Sequence, residues 1–515
     1  MEIPSVQRSR GFKRTPLNET TSFNEKKKVM TPLKNVSSSK KDLSYKSENK
    51  LEQTLQSCNT KKSKPSPSST SMIFNPLVIK RNKEKMFVYS ADRKETISTS
   101  MRLDEQHYYH GLLPRKYIGN RFKNPGDFLI LLKFKSGEPH YFIELLDGDV
   151  VVKRISISKE NDLYFLSIPY PEDEEVRKFT AIPLLINYYH RHQIPGYICL
   201  KYPIPRPNTF YCHHQIKYNR NGPCIGKGTF STIFKGKVLE GLYRGIPAAV
   251  KVPDNGKTEQ DKDYIKIIKK TSKVIIKEAS IMEELDDMHV LNFYGLCLDN
   301  LPVALIMELC EYGSLEEHLI KEGNNICTGE LLYYCYDIAK GMRYLSKLQI
   351  VHRNLSASNV LIGNNGYLKI GGFSKACKLD NFEPADTLLL LRYMPPEGLS
   401  KRSLFFSETS DVWSYGVTII EIFNNGVLPL KELNDEEFKE RILQNCFYPI
   451  PSKCPETLSF GIQKGIFIMP PCNRFTFRHI QELLEVILKR TDLYPPPRPR
   501  ESAFAKKGIQ RIFSL

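Results

Sequence analysis

The sequence predicts an α+β protein with two folded domains between polar, basic tails. Three observations support this prediction. Residues 107–205 are dense in aromatic and β-forming residues, with alternating segments typical of strands. Residues 218–490 begin with a glycine hairpin and strand-like runs and continue into segments with the apolar spacing of helices. Residues 1–103 are polar and lack a sustained apolar period, so we expect them to be disordered.

Composition sets broad limits on the class of protein. The 515 residues, 41% hydrophobic and 26% charged, suit a globular protein of two or three domains. No apolar run reaches transmembrane length, and the first thirty residues are too polar for a signal peptide, so we expect a cytoplasmic protein. The cysteines lack paired CxxC spacing, which favours free thiols. Cys212-His213-His214 has metal-ligand types but no second ligand pair, so we expect no metal site there.

The positive charge is concentrated at the ends of the chain. The net charge is +18, and residues 1–70 hold 15 Lys and Arg against 6 Asp and Glu. Residues 491–515 form a second tail that is basic and rich in proline. Such tails suit an anionic membrane surface, here the inner face of the plasma membrane, although a solvated tail is the simpler alternative. No aromatic interleaving or nucleic-acid motif accompanies them, so we expect no specific nucleic-acid partner.

The first folded segment has a recognisable order of elements. YYHGLLPRKYIGNRFKNPGDFLILL predicts a short strand, a helix, a Pro-Gly turn and a buried strand. HYFIELLDGDVVVKRISIS predicts two strands around a Gly turn, and FTAIPLLINYYHRH has helical spacing. With Tyr109-His110-Gly111 and Gly126-Asp127-Phe128-Leu129, residues 107–205 resemble a Src-homology 2 (SH2) domain.

This resemblance implies a phosphotyrosine pocket, but its main residue is missing. The family places an Arg on the strand after Gly-Asp-Phe-Leu, because a planar guanidinium clamps phosphate through two parallel hydrogen bonds. Leu131 stands at that position, and only the helix Arg is retained, at Arg115. We therefore expect a dead or strongly weakened pocket. Arg115 is equally well interpreted as a surface residue without a role in binding.

A linker at residues 206–217 leads to nucleotide-binding patterns. In IGKGTFSTIFKGKV, Ile225, Gly226, Gly228 and Ile233 match a hairpin whose small residues let backbone amides approach phosphate oxygens. Lys251 follows in AAVKVP and matches a strand lysine that grips phosphates. In the amphipathic segment VIIKEASIMEEL, Glu278 stands where the partner of that lysine belongs, beyond what we interpret as a basic insertion.

Further motifs follow in a fixed order. ALIMELCEYGSLEEHL supplies Met307, Glu308 and Cys310, and IVHRNLSASNVLIGNNGYLKIGGFS comes next. Together these motifs resemble a protein-kinase domain over residues 218–490. The resemblance implies a two-lobed fold and an ATP site beneath the glycine hairpin, with Met307 as gatekeeper and the backbone of Glu308 to Cys310 facing the adenine.

Two catalytic positions depart from the kinase pattern. The family uses the Asp of His-Arg-Asp as the base and the Asp of Asp-Phe-Gly as a magnesium ligand. This chain has Asn354 and Gly372 at those positions and retains only Asn359 of the metal ligands. An amide cannot act as a general base near neutral pH, and one neutral oxygen is a poor magnesium site. We therefore expect ATP to bind without a requirement for magnesium.

The tandem arrangement resembles cytoplasmic, non-receptor tyrosine kinases of the Fes/Fer type. The two departures predict a pseudokinase that acts as a scaffold or allosteric regulator in tyrosine-kinase signalling. Its expected partners are signalling proteins, including an active kinase. Two alternatives stay open: a slow non-receptor tyrosine kinase that transfers the ATP γ-phosphate to protein tyrosine, and a basic adaptor that binds membranes through its tails.

Overall fold

The structure is a computed structural model, and it describes part of the chain. The described residues are 100–118, 121–148, 151–172, 175–228, 230–254, 264–379, 391–400 and 406–490. The predictions for the two basic tails concern residues 1–103 and 491–515, and all of these except 100–103 lie outside this set. Leu103 begins a 3-10 turn over Leu103–Glu105.

A first sheet and one helix form the N-terminal part of the described chain. The sheet follows the order β1-β2-β3-β4-β5, and β6 pairs with β2. Its elements are β1 (Tyr109–Gly111), β2 (Asp127–Lys135), β3 (Glu138–Asp147), β4 (Val151–Glu160), β5 (Leu163–Ser167), α1 (Ile182–Arg191) and β6 (Tyr202–Pro203). Phe128, Ile130 and Leu132 of β2 pack in one apolar cluster with α1. Leu129 and Leu131 belong to a different cluster, as the alternation of a strand requires.

The helix predicted after β1 is wrong in the described part of that segment. Only a 3-10 turn forms, over Arg115–Tyr117. The sequence that follows, Ile118-Gly119-Asn120, has poor helix propensity, which disfavours continuation of the turn. Ile118 is instead buried in the same apolar cluster as Leu129 and Leu131.

A second sheet forms the β-rich lobe that follows. Its order is β7-β12-β13-β11-β10-β8, with β9 paired to β10. Its elements are β7 (Phe210–Tyr211), β8 (Ile216–Tyr218), β9 (Cys224–Lys227), β10 (Ser231–Val238), β11 (Pro247–Pro253), α2 (Tyr264–Met282), β12 (Phe293–Cys297) and β13 (Ala304–Glu308). Helix α2 packs on β11, β12 and β13.

Helix α2 is longer than the sequence indicated. Its described part begins at Tyr264, so most of the predicted basic insertion is helix. Lysine is a good helix former, and Ile268 extends the apolar stripe of Ile275 and Ala279 by two turns. The extension also contacts the first sheet, because Lys269 Nζ donates to the Phe134 carbonyl at 2.6 Å.

A helical lobe completes the described chain. Its elements are α3 (Leu315–Glu322), α4 (Thr328–Lys347), β14 (Ile350–Val351), β15 (Val360–Ile362), β16 (Leu368–Ile370), β17 (Cys377–Lys378), α5 (Pro396–Leu399), α6 (Glu408–Phe423), α7 (Asp435–Leu443), α8 (Glu456–Gly461) and α9 (Phe477–Leu488). Every residue of α6 from Ser410 onward is buried, so α6 forms the centre of this lobe. The β-rich lobe and this helical lobe confirm the predicted two-lobed kinase-like fold. Among the described helices, none is both long and apolar enough to cross a membrane.

The first sheet packs directly on the β-rich lobe. The Tyr109 hydroxyl donates to the Asp299 carbonyl at 2.6 Å, and the Leu112 N–H donates to the Leu298 carbonyl at 2.8 Å. Gly111 has a φ of +55°, and a Cβ there would lie 2.0 Å from the Leu298 oxygen. A close backbone approach therefore requires glycine at this position.

Candidate functional site

The glycine hairpin consists of β9 and β10. Gly226 pairs with Ile233 across the hairpin, and a Cβ on Gly226 would lie 3.4 Å from Ile233 Cδ1. The Gly228 N–H donates to the Ser231 carbonyl at 2.7 Å and closes the turn. Ile225 is 48% exposed on the neighbouring position. The glycines thus leave this surface free of side chains, as a close approach of phosphate to the backbone requires.

Lys251 and Glu278 form an ion pair between sheet and helix. Lys251 lies on β11, opposite Ile233, and Glu278 lies on α2. The Lys251 Nζ and Glu278 Oε2 atoms are 2.7 Å apart, and the two side chains are only 12% and 2% exposed. The structure therefore places α2 close enough for the pair despite the long segment between the two residues.

The hinge residues Met307 and Glu308 end β13, and Cys310 follows it. Met307 is buried in the core of the lobes. The Glu308 carboxylate accepts a hydrogen bond from Asn292 Nδ2 at 2.9 Å and pairs with Lys369 Nζ at 3.0 Å. The Cys310 carbonyl accepts the Gly313 N–H at 3.3 Å. The side chain of Glu308 therefore ties the hinge to the structure around it.

Buried hydrogen bonds fix the loop that carries the catalytic positions. The Asp411 carboxylate accepts the N–H groups of His352 and Arg353 at 2.7 and 2.9 Å. Burial raises the pKa of Asp411 to about 7, against the lowering effect of these hydrogen bonds. His352 Nε2 donates to the Gly371 carbonyl at 2.9 Å, and burial lowers the pKa of His352 to about 4. The buried side chains of Asp411 and His352 thus fix the conformation of the loop through hydrogen bonds.

The side-chain amides of Asn354 and Asn359 donate hydrogen bonds to nearby groups of the chain. Asn354 Nδ2 donates to the Gly372 carbonyl at 3.2 Å. Asn359 Nδ2 donates to the Asn354 carbonyl at 2.7 Å and to Ser356 Oγ at 3.2 Å. The structure therefore brings Asn354, Asn359 and Gly372 together. The Asn354 amide links the loop to the segment that follows β16, and the Asn359 amide holds the loop to itself.

The Asn359 side chain occupies the space next to Gly372. Gly372 has a φ of +74°, in the left-handed region. A Cβ at this position would lie 2.5 Å from Asn359 Oδ1 and 2.7 Å from Asn359 Cγ. Such distances are too short for real atoms, so Asn359 would have to move before residue 372 could carry a side chain.

The donor set at these positions does not fit magnesium. Asn354, Asn359 and Gly372 provide no carboxylate, and the nitrogen of each amide is committed to hydrogen bonds with the chain. Magnesium favours carboxylate, phosphate and water oxygens in octahedral geometry. These three residues thus offer the metal that a kinase active site implies at most two neutral side-chain oxygens, one from each amide, and no negative charge.

The first sheet contains a buried acid, Glu144, that the sequence analysis did not identify. Leu131 is 1% exposed and belongs to the core, so it offers no group to an anion. Arg115 Nη2 donates to the Val152 carbonyl at 3.0 Å, and its Nε lies 3.3 Å from Glu144 Oε2. Arg154 Nε donates to Glu144 Oε1 at 2.6 Å. Glu144 stands inside the apolar run FIELL, and an acid in such a run indicates a buried ion pair.

A second group of ligand types lies beside the linker. Side-chain atoms of Asp104, Cys212 and His214 all lie within 4.8 Å of one another. The Arg206 guanidinium donates to Cys212 Sγ at 3.2 Å, and burial raises the pKa of the Cys212 thiol to about 11. A protonated thiol beside a guanidinium is a poor ligand for a cation.

Comparison with known proteins places these features in a family. A model of the protein tyrosine and serine/threonine kinase family matches residues 220–484. The chain belongs to this family. Tyrosine-protein kinase Fer of Mus musculus is 28% identical over 404 residues, which cover 77% of this chain and 45% of the relative. Human Fer is 28% identical over 78% of this chain and 46% of its own length. The transforming protein Fps of an avian sarcoma virus is 26% identical over 75% of this chain and 69% of its own length.

Membership in the kinase family implies an ATP-binding cleft. The chain spans just under half of the length of the Fer kinases that it matches. A further ion pair typical of the kinase fold is present. The Nη1 and Nη2 atoms of Arg474 contact the Glu397 carboxylate at 2.6 and 2.8 Å. The kinase framework is therefore intact around the altered catalytic positions.

Proposed function

We propose that this chain is an ATP-binding pseudokinase that acts as a scaffold or allosteric regulator in tyrosine-kinase signalling. The observation that carries the proposal is the position of the Asn359 side chain, 2.5 Å from where a Cβ of residue 372 would lie. The magnesium carboxylate is absent from the sequence, and its space is also occupied. Both changes act on the same step, the neutralisation of the transferring phosphate.

The base position supports the same proposal. Asn354 donates through Nδ2 to the Gly372 carbonyl, so its side chain links the loop to the segment that follows β16. Loss of a general base lowers a rate about 100- to 10,000-fold. Loss of the metal carboxylate removes electrostatic stabilisation of the transition state as well. Together these losses bring phosphate transfer close to the uncatalysed background.

A phosphate-transfer assay tests this proposal. The full chain is incubated with ATP, magnesium and a generic tyrosine peptide, alongside the variant Lys251→Ala. We expect no transfer above background from either protein. We also expect none from Asn354→Asp alone, because the magnesium carboxylate would still be missing.

The alternative is a slow non-receptor tyrosine kinase that uses unusual metal ligands. It is favoured by the intact Lys251–Glu278 pair at 2.7 Å and by the braced catalytic loop. Transfer of phosphate to tyrosine that is lost in Lys251→Ala would establish this alternative and end the pseudokinase proposal.

The cleft, in this proposal, binds ATP without a requirement for magnesium. The glycine hairpin, the paired Lys251 and the hinge act on the phosphates and the adenine directly. Asn354, Asn359 and Gly372 provide no carboxylate, so they bind magnesium weakly. Magnesium would then alter ATP affinity only through its effect on free ATP.

The first sheet with α1 is, in this proposal, a degenerate SH2-like module. Leu131 is buried in the core, and Arg115 is bonded to the chain. The module docks on the β-rich lobe through Tyr109 and Lys269 and does not take phosphotyrosine in the usual way. Micromolar binding to a phosphotyrosine peptide library that is lost after dephosphorylation would contradict this part of the proposal.

Partners and location complete the proposal. We expect signalling proteins, including an active kinase, to be the partners, and the cytoplasmic face of the plasma membrane to be the site of action. The basic excess of residues 1–70 supports contact with anionic lipid. In a sedimentation assay with phosphatidylserine vesicles, the full chain should pellet with the vesicles, and a variant that lacks residues 1–100 should stay in the supernatant. Equal retention of both would remove the membrane from the proposal.

A further inference from the structure

The carboxylate of Glu144 lies buried between two arginines on one face of the first sheet. Its side chain is 0% exposed, whereas those of Arg115 and Arg154 are 50% and 31% exposed. Arg154 contacts Glu144 Oε1 through both Nε and Nη2, and Arg115 Nε lies 3.3 Å from Oε2. Each oxygen of the carboxylate thus faces a different guanidinium.

A third cation belongs to the same group. Lys133 Nζ lies 5.5 Å from the centre of the Phe142 ring, and the Arg154 guanidinium lies 5.6 Å from it. Burial lowers the pKa of Lys133, and the charges of Arg154 and Arg115 lower it further, against the opposing effect of Glu144. Lys133 therefore lies within the electrostatic influence of the Glu144 carboxylate and of the two arginines that contact it.

Glu144 is also incompletely satisfied by its neighbours. Its Oε2 atom is buried and makes no hydrogen bond, so its link to Arg115 is a longer ionic contact. A buried carboxylate oxygen without a hydrogen bond is costly. Ionic attraction to the arginines therefore holds Glu144 in place. A phosphate group, which has more oxygens than a carboxylate, would suit the space between these arginines better.

We infer that Glu144 is a built-in ligand of an anion pocket formed by Arg115, Lys133 and Arg154, and that it keeps phosphate monoesters out. Guanidinium groups bind carboxylate and phosphate with the same geometry, so one occupant excludes the other. This inference rests on the proposed SH2-like module for its ligand class. It makes Glu144 the residue that decides specificity, in addition to the missing arginine at position 131.

The strand register explains why position 131 is not sufficient by itself. Leu131 pairs with Phe142, and Leu129 pairs with Glu144, so all four side chains lie on one face of the sheet. Glu144 is the diagonal neighbour of residue 131, within reach of a long side chain. An arginine introduced there would meet the Glu144 carboxylate before any phosphate.

Binding of phenyl phosphate to the full chain tests the inference. The variant Glu144→Gln keeps the shape of the side chain and removes its charge. We expect the wild-type chain to show no binding by calorimetry and Glu144→Gln to gain at least about tenfold in affinity, the value of one charge-assisted hydrogen bond. The gain should disappear when Arg115→Ala is added. The matched control is Glu160→Gln, which removes an exposed acid of the same sheet that pairs with Lys178, and it should gain nothing.

Two further variants keep the test decisive. Glu144→Asp retains the charge needed for folding but shortens the side chain by one methylene, and it should show a smaller gain than Glu144→Gln. Leu131→Arg alone should show no gain, and its combination with Glu144→Gln should bind most tightly. A gain in Leu131→Arg alone, or none in the folded Glu144 variants, overturns the inference. Wild-type binding that depends on Arg115 overturns the inference as well and also contradicts the degenerate module. It can be told apart from a failure of the inference alone, in which the wild-type chain does not bind.

Discussion

Restoring an aspartate at Gly372 should destabilise the protein and should not recreate a metal site. Gly372 has a φ of +74°, and its Cβ would lie 2.5 Å from Asn359 Oδ1. Relief of this clash requires the Asn359 side chain to rotate away. That rotation breaks its hydrogen bonds to the Asn354 carbonyl, at 2.7 Å, and to Ser356 Oγ, at 3.2 Å.

These losses give the size of the expected effect. A residue with a side chain costs about 1 kcal/mol or more in the left-handed region, and each lost hydrogen bond costs about 1 kcal/mol. The free energy of unfolding of Gly372→Asp should therefore be lower than that of the wild type by about 3 kcal/mol. Urea denaturation of the full chain without nucleotide measures this difference.

The neighbouring glycine provides a matched control. A Cβ on Gly371 would meet its nearest atoms at an ordinary 3.4 Å. Gly371→Ala should therefore change the free energy of unfolding by less than about 1 kcal/mol. Adding Asn359→Ala to Gly372→Asp should remove the clash and leave the two substitutions strongly non-additive. A Gly372→Asp protein as stable as the wild type would refute the claim that Asn359 fills this space.

Three further substitutions test the frame around the site. Glu278→Ala leaves the buried Lys251 without its partner, so the free energy of unfolding should fall by about 3 to 5 kcal/mol in urea denaturation; no loss would show that the pair is not formed. Burial raises the pKa of the Glu421 carboxyl from 4.5 to about 7. The folded protein therefore holds this proton more tightly than the unfolded protein does. The stability that the group adds below pH 4.5 is lost as the pH rises through 7. Glu421→Gln should therefore lose less stability than the wild type between pH 5 and 8 in thermal melts, and identical profiles would contradict the raised pKa. Gly111→Ala places a Cβ 2.0 Å from a carbonyl of the β-rich lobe, so it should speed proteolysis between the first sheet and that lobe. The control Gly137→Ala, which is also at a positive φ but lies in open space, should not. Equal proteolysis of both variants would contradict this docking.

The sequence predicted the two-lobed fold because its motifs are local. The glycine hairpin, the strand lysine and the loop around Asn354 each depend on short stretches whose order is diagnostic. Helix α2 was predicted too short because its first turns are rich in lysine, which hides the apolar stripe that begins at Ile268. The helix predicted at Arg115 is a 3-10 turn, because the sequence after it has poor helix propensity and Ile118 is buried in the core.

The features that matter most at the two sites depend on pairing across the fold. In the sequence, Glu144 is a single acid within an apolar strand. Arg154 comes next to it only through the pairing of β3 with β4. The sequence shows that Gly372 lacks a carboxylate, but it does not show that Asn359 has taken the space. Side-chain rotation and strand register are set by tertiary packing, so neither could be derived from residue spacing.

Thermal melting with nucleotide tests the central claim most directly. The full chain is melted alone, with ATP, with ATP and magnesium, and with ATP and EDTA, and Lys251→Ala serves as the control. Ligand at a hundred times its dissociation constant stabilises a folded protein by about 2.7 kcal/mol. We predict that ATP stabilises the wild-type chain equally with and without EDTA, and that Lys251→Ala loses most of this stabilisation. A shift that requires magnesium would contradict the account, because another residue would then hold the metal, and no shift under any condition would contradict it as well, because the cleft would not bind ATP.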